Sequence, residues 1–152
     1  MKRVRNVLMV DDNPADLDLA REALREKAHR SQIYTVRDGE EALLFLHKIG
    51  AYSGKPRPDL VLLDLNLPKK DGRKVLAEIK TDPNLHGIPV VIFSTSQLSE
   101  DIARSYALGA NCYVTKPGNL IEFFSAVKAI EEFWFGIANL PEPSLSEQRG
   151  QL

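Results

Sequence analysis

The chain has 152 residues, 43% of them hydrophobic and 27% charged, with a formal net charge of -1. That length suits one domain burying roughly two-thirds of its unfolded surface, and near-neutral charge excludes a global pull toward nucleic acid or anionic membrane. Behind Met1-Lys2-Arg3-Val4-Arg5 the apolar run lasts four residues before Asp11, too short for an export signal or a membrane span. The one cysteine, Cys112, excludes an intramolecular disulfide and reads as a small buried hydrophobe, so the cytosol is the default compartment.

Strand-like and helix-like stretches alternate along the chain, which argues for a parallel sheet covered by helices on both faces. Val7-Leu8-Met9-Val10 is the first strand and runs into Asp11-Asp12. Asn13 offers a helix cap and Pro14 suits the first turn, with Leu17, Ala20, Leu24 and Ala28 forming one apolar stripe. Gln32 to Val36 is a short second strand; Asp38-Gly39 then turns the chain into a helix with Ala42, Phe45, Leu46 and Ile49 on one face. Gly50 to Pro58 is a long loop. Leu60-Val61-Leu62-Leu63, apolar throughout as a strand buried on both faces should be, runs into Asp64. A third helix places Gly72, Val75, Leu76 and Ile79 inward and stops at Asp82-Pro83.

Pro89 to Phe93 is the fourth strand, ending on Ser94-Thr95-Ser96. Ser99 is expected to cap a fourth helix whose thin stripe is Ile102, Ala103, Tyr106 and Ala107, and Gly109 ends it. A fifth strand, 112–115, runs into Lys116-Pro117, and a fifth helix extends from about Asn119 to Phe135. Five strand–helix units with right-handed crossovers favour a doubly wound, flavodoxin-like (βα)5 sheet of order 2-1-3-4-5. Residues past Pro141 are polar and read as a mobile tail.

In an open parallel sheet the strand C-termini face one crevice, where such folds bind ligands. Asp11, Asp12 and Asp64 would meet there with Lys116. Hard cations such as Mg2+ take oxygen ligands and need only one or two carboxylates from the protein, and a bound cation removes the repulsion among crowded acids. Acids at a helix start also have a purely structural explanation, as dipole partners. Asp64 does not, because it follows four buried apolar residues directly. Phosphoryl transfer needs positioning and charge neutralisation above all. A phosphorylated aspartate here would have a metal, a mobile point charge in Lys116 and a hydroxyl from Ser94 or Thr95.

These residues resemble the receiver domain of bacterial two-component response regulators, and within it the small stand-alone receivers paired with cyanobacterial phytochrome histidine kinases. The resemblance runs through Asp11-Asp12, Pro58 to Pro68 around Asp64, Asp71-Gly72, Ser94 and Cys112 to Pro117. It implies a receiver domain over 5–138, a tail over 139–152 without an output domain, and a phosphorelay role in place of a metabolic activity. It implies that Asp64 is the phosphoacceptor, that Asp11, Asp12, Asp64 and the carbonyl of Asn66 hold Mg2+, and that Lys116 pairs with a phosphoryl oxygen. Ser94 would move to bond another such oxygen while Tyr113 turns inward, and the Lys116-Pro117 bond would be cis. The sequence departs from the common pattern at Thr95, where most receivers carry alanine, at Gly118, where many carry an aromatic, and in the long loop from Gly50 to Pro58.

Output would then be a protein–protein event on the face made by the fourth helix, fifth strand and fifth helix. In the fifth helix Leu120, Phe123, Val127, Ile130 and Trp134 form one stripe, leaving Phe124, Phe133 and Phe135 as surplus aromatics. A second buried surface follows: a homodimer through Phe124, Phe133, Trp134 and Phe135, or a layer packed on Ile137 to Leu140. An aspartyl-phosphate hydrolase needs a second acid two residues after its nucleophile, and Asn66 stands there. A receiver-shaped docking protein with dormant chemistry is the other alternative. Neither dinucleotide-binding nor P-loop glycines are present. Lys69, Lys70, Arg73 and Lys74 read as a solvated helix face or a kinase-facing patch, with no direct DNA binding expected.

Overall fold

A computed structural model describes residues 3–25 and 31–142. The chain alternates β1 (Arg5–Val10), α1 (Pro14–Arg25), β2 (Ser31–Val36), α2 (Gly39–Leu46), a 3-10 turn (Gly50–Tyr52), β3 (Leu60–Leu63), α3 (Gly72–Thr81), β4 (Val90–Ser94), α4 (Ser99–Ala107), β5 (Cys112–Thr115) and α5 (Leu120–Glu131). The strands form one parallel sheet of order β2-β1-β3-β4-β5, as the alternation demands. In register, Val10 stands beside Leu63, Leu63 beside Ile92, and Ser94 beside Thr115. Asp11, Asp64, Ser94 and Lys116 therefore leave the sheet along one edge.

Successive strand residues point to opposite faces, and the two cores follow that alternation. Leu8, Val10, Val61, Leu63, Val90 and Ile92 pack with Phe45, Leu46, Val75, Leu76 and Ile79 on the side of α2 and α3. Val7, Met9, Leu60, Leu62, Val91 and Phe93 pack with Leu17, Ala20, Leu24, Phe123, Val127 and Ile130 of α1 and α5. Each fully buried large side chain contributes about 1.5–3 kcal/mol. The helix starts are capped as their residues suggest: Asn13 Oδ1 accepts from the amide of Ala15, Asp38 from Glu41, Asp71 from Arg73 and Asn119 from Glu122.

Two glycines let helices sit close to the site. A Cβ on Gly72 would lie 2.1 Å from the carbonyl oxygen of Asp64, and one on Gly39 would lie 2.0 Å from that of Lys70. Only a residue without a side chain fits where α3 begins against the end of β3.

Several expectations are corrected. Ser99 is the first residue of α4, whose cap position is Leu98; the hydroxyl of Ser96 reaches back to accept the Leu98 amide at 3.3 Å. The α4 stripe is hardly buried: Ile102 is half-buried, while Ala103, Tyr106 and Ala107 are exposed. Its one fully buried residue, Ser105, bonds its hydroxyl to the Asp101 carbonyl. Ile49 falls past the end of α2 and is exposed, and Cys112 is half-buried because β5 is an edge strand.

In the fifth helix the α-helical pattern changes to a π-helical turn at Glu132–Ile137. The wider turn carries Phe135 into the core beside Ile130, where uniform α spacing would have brought Trp134. Phe135 is therefore core rather than surplus, Trp134 is half-buried, and Leu120, expected in the stripe, is 67% exposed. All described peptide bonds are trans, Lys116-Pro117 included. Trans is the lower-energy form even before proline, by about 0.5–1 kcal/mol. The first tail residue past Pro141, Glu142, pairs its exposed carboxylate with Arg3 at 2.9 Å and Arg5 at 3.0 Å. The rest of the expected tail, 143–152, and Ala28 of the first helix stripe lie outside the described residues.

Candidate functional site

Asp11 follows β1, Asp64 follows β3 and Lys116 follows β5, and backbone hydrogen bonds hold each at its place. The Asp11 amide donates to Val36 O, that of Asp64 to Val10 O, and that of Lys116 to Ser94 O at 2.7 Å. The Lys116 ammonium spans the gap, bonding Asp11 Oδ2 at 2.6 Å and Asp64 Oδ2 at 3.0 Å. The Lys116 side chain is 4% exposed and that of Asp11 1%, so the pair lies at the bottom of the crevice.

A further carboxylate joins them. Asp16, in the first turn of α1, lies 2.9 Å from Lys116 Nζ. Sequence reading missed it, because an acid in a first helical turn is ordinary. The available signal was its place one turn into the helix that begins at the crevice. Asp12 is exposed at the rim, and oxygens of Asp11, Asp12 and Asp64 lie within 4.8 Å of one another. Their hard oxygen donors and surplus of negative charge fit a divalent cation.

Burial pushes the Asp11 carboxyl above the ordinary aspartate value, against the opposing hydrogen bonds from Lys116 and the Asn13 amide. Burial alone would lower Lys116; the bond to Asp11 and the charges of Asp64 and Asp11 outweigh it and raise the ammonium above the ordinary lysine value. Asp64 Oδ1 also accepts the Leu65 amide at 2.7 Å, so that amide and Lys116 together fix both carboxylate oxygens.

Asn66 lies in the exposed loop two residues after Asp64. Ser94 is fully buried and its hydroxyl accepts the Ser96 amide at 3.3 Å, whereas Thr95 is exposed. The Tyr113 ring packs against the α2–α3 core and its hydroxyl donates to the Ser96 carbonyl at 2.8 Å. Three residues of the basic patch are paired with acids. Arg73 bonds Asp101 at 2.8 Å, Lys70 bonds Glu78 at 3.1 Å and Lys69 lies 3.7 Å from Asp38. Arg73 is thus a tie between α3 and α4, not part of a solvated face. Among the expected interface aromatics, Phe133 is 49% exposed and meets Trp134 edge-on at 5.2 Å, Phe124 is half-buried beneath Lys128, and Phe135 is inside. Among the described residues no helix is long and apolar enough to cross a membrane.

Residues 7–128 match the family model of the response regulator receiver domain. The chain is 48% identical over 135 residues to the response regulator Rcp1 of Synechocystis sp., covering 89% of this chain and 92% of that protein. The crystal structure of the phosphorylated cyanobacterial phytochrome response regulator RcpA superposes with a TM-score of 0.89 at 53% identity, over 92% of this chain and 100% of that one. The Mn(2+)-bound form of Rcp1 gives a TM-score of 0.87 at 47% identity, over 91% and 99% of the two chains. With its fold, its strand-end carboxylates and its lysine, the chain belongs to the response regulator receiver domain family.

Proposed function

We propose that residues 5–138 form a receiver that takes a phosphoryl group on Asp64 from a phytochrome-like sensor histidine kinase and signals through the α4-β5-α5 face. The observation that carries this reading is the Lys116 ammonium bonded to both Asp11 and Asp64 across three strand ends. One Asp64 oxygen attacks the phosphorus of the kinase phosphohistidine; the new O–P bond forms as the P–N bond breaks, and the imidazole leaves with the bonding pair. The side chains of Asp11, Asp12 and Asp64, with the carbonyl of Asn66, would hold Mg2+. When bound, that ion neutralises developing charge on the phosphoryl oxygens and helps align them. Lys116 would supply a second positive charge to those oxygens. We take the buried Ser94 hydroxyl as the signalling donor in preference to the exposed Thr95, with Tyr113 coupled to it through Ser96, whose amide bonds Ser94 and whose carbonyl bonds Tyr113.

A relative described as phosphorylated and another described as Mn(2+)-bound support the reading. The chain catalyses only its own phosphorylation and dephosphorylation. Exposed Tyr106, Leu120, Ile121 and Phe133 lie on α4, on α5 and in the π-helical turn after it, and support a homodimer through that side.

Intact-mass spectrometry after acetyl phosphate treatment tests the proposal. The expected result is a gain of one phosphoryl group by the wild type in Mg2+, absent without Mg2+ and absent in Asp64→Asn. A wild type left unmodified both by acetyl phosphate and by a purified phytochrome kinase would refute it.

A further inference from the structure

An ammonium group has three N–H donors, and at Lys116 carboxylates engage all of them: Asp11 at 2.6 Å, Asp16 at 2.9 Å and Asp64 at 3.0 Å. Two of these partners have other work to do. Asp11 and Asp64 belong to the acidic trio that converges on one point; Asp16 does not. A cation on that trio draws on Asp11, and a phosphoryl group on Asp64 replaces its carboxylate charge with a larger one farther out. Asp16 is the partner that neither event consumes.

Its position is also independent of the trio. Asp16 sits in the first turn of α1, where its amide approaches the capping oxygen of Asn13 at 3.4 Å. The next residue, Leu17, is buried in the α1–α5 core. The carboxylate is thus held by helix and core while the crevice changes its occupants. Without it, an ammonium released by Asp11 would face a divalent cation with one fewer counter-charge, and like-charge repulsion would favour its leaving the site.

We infer that Asp16 is a positioning residue for Lys116: it anchors the ammonium in the crevice while Asp11 turns to a metal ion and Asp64 to the phosphoryl group. The phosphoryl half of this inference rests on the phosphoacceptor role of Asp64; the coupling between Asp16 and Lys116 does not.

The test is a double-mutant cycle with Asp16→Asn, Lys116→Met and both together, read by Mn2+ affinity from the electron paramagnetic resonance signal of free Mn2+. No phosphoryl transfer is needed for this readout. Asp16→Asn keeps an acceptor oxygen and removes the charge. With Lys116 present it weakens Mn2+ binding by about five- to tenfold, the scale of one charge-assisted hydrogen bond at a partly solvated group. In the Lys116→Met background the loss shrinks below about twofold. The maximal rate of Asp64 labelling by acetyl phosphate falls by a comparable factor in Asp16→Asn and recovers in part in Asp16→Glu. An equal loss of Mn2+ affinity in both backgrounds would mean that Asp16 acts by charge on the metal alone, and would overturn the inference. Unchanged or tighter binding in Asp16→Asn would do the same. A wild type that shows the coupling yet accepts no phosphoryl group would instead sink the phosphoacceptor role and leave the anchor standing.

Discussion

Replacing Lys116 with Met keeps an unbranched stem and removes the charge. The Lys116 side chain is 4% exposed, and its ammonium makes its shortest bond to Asp11, whose side chain is 1% exposed. Deleting one partner of a buried ion pair costs about 3–5 kcal/mol, chiefly because the other charge is left buried and uncompensated. Here Asp64 and Asp16 keep some solvent, at 11% and 18% exposure. The lower end, about 3 kcal/mol, therefore applies, which lowers the melting temperature of a chain this size by about 6–12 °C.

The pH dependence has a definite sign. Burial already holds the Asp11 carboxyl above its ordinary value with the ammonium in place, and removing the ammonium raises it further. A carboxyl whose folded pKa exceeds its unfolded pKa stabilises the fold fully below the unfolded value, and that contribution is lost as pH rises through the folded one. The variant's deficit relative to wild type therefore narrows as pH falls from about 7 toward 4. Lys116, raised in the wild type, contributes fully at neutral pH and loses its contribution only in strong alkali. Millimolar Mg2+ also narrows the deficit, because a cation on the acidic trio replaces the missing charge. Thermal unfolding followed by circular dichroism, in EDTA and in MgCl2 at two pH values, measures all of this. A variant within about 2 °C of wild type in EDTA, or a deficit that grows on acidification, would refute the electrostatic account of the crevice.

Gly72→Ala places a Cβ 2.1 Å from the Asp64 carbonyl oxygen and 2.8 Å from Leu65 Cα, both backbone. We expect a loss of about 3 kcal/mol in urea denaturation as α3 shifts off the end of β3, with slower Asp64 labelling. Phe135→Ala should cost about 3–5 kcal/mol as a core cavity, whereas Phe133→Ala should change monomer stability by less than about 0.5 kcal/mol. Light scattering on Phe133→Glu checks the proposed dimer, with dissociation to monomer as the expected result and an unchanged mass as the result against it.

The strands and the three principal site residues were legible because each is a local pattern with a forced geometric consequence. A run such as Leu60 to Leu63 is apolar at every position, so it must be covered on both faces. A parallel sheet covered on both faces must then deliver Asp11, Asp64 and Lys116 to one edge. The capping residue Asn13 was readable for the same reason, since a short polar side chain at a helix start answers an unsatisfied amide beside it. At α4 that local logic failed. Ser99 has the right chemistry, but it is the first residue inside the helix; no side chain caps α4, and Ser96, tied to Asp101 at 2.6 Å, accepts the amide of the cap residue Leu98.

The α-helical period likewise placed Phe123, Val127 and Ile130 inward but failed beyond them, because one π turn re-aims every following side chain. Phe135 thereby moved from candidate interface to core. The trans Lys116-Pro117 bond likewise differs from what the resemblance implied. The amino-acid sequence by itself determined the alternation of elements, hence the sheet order, and the identity of the carboxylates and lysine that the strand ends carry. Only the tertiary structure decided that Asp16 is the third partner of Lys116, that Arg73 ties α3 to α4 through Asp101, and that α4 lies nearly bare on the surface. Those outcomes depend on how helices cross the sheet, a matter of packing between residues distant in the chain, and no local period or motif encodes it.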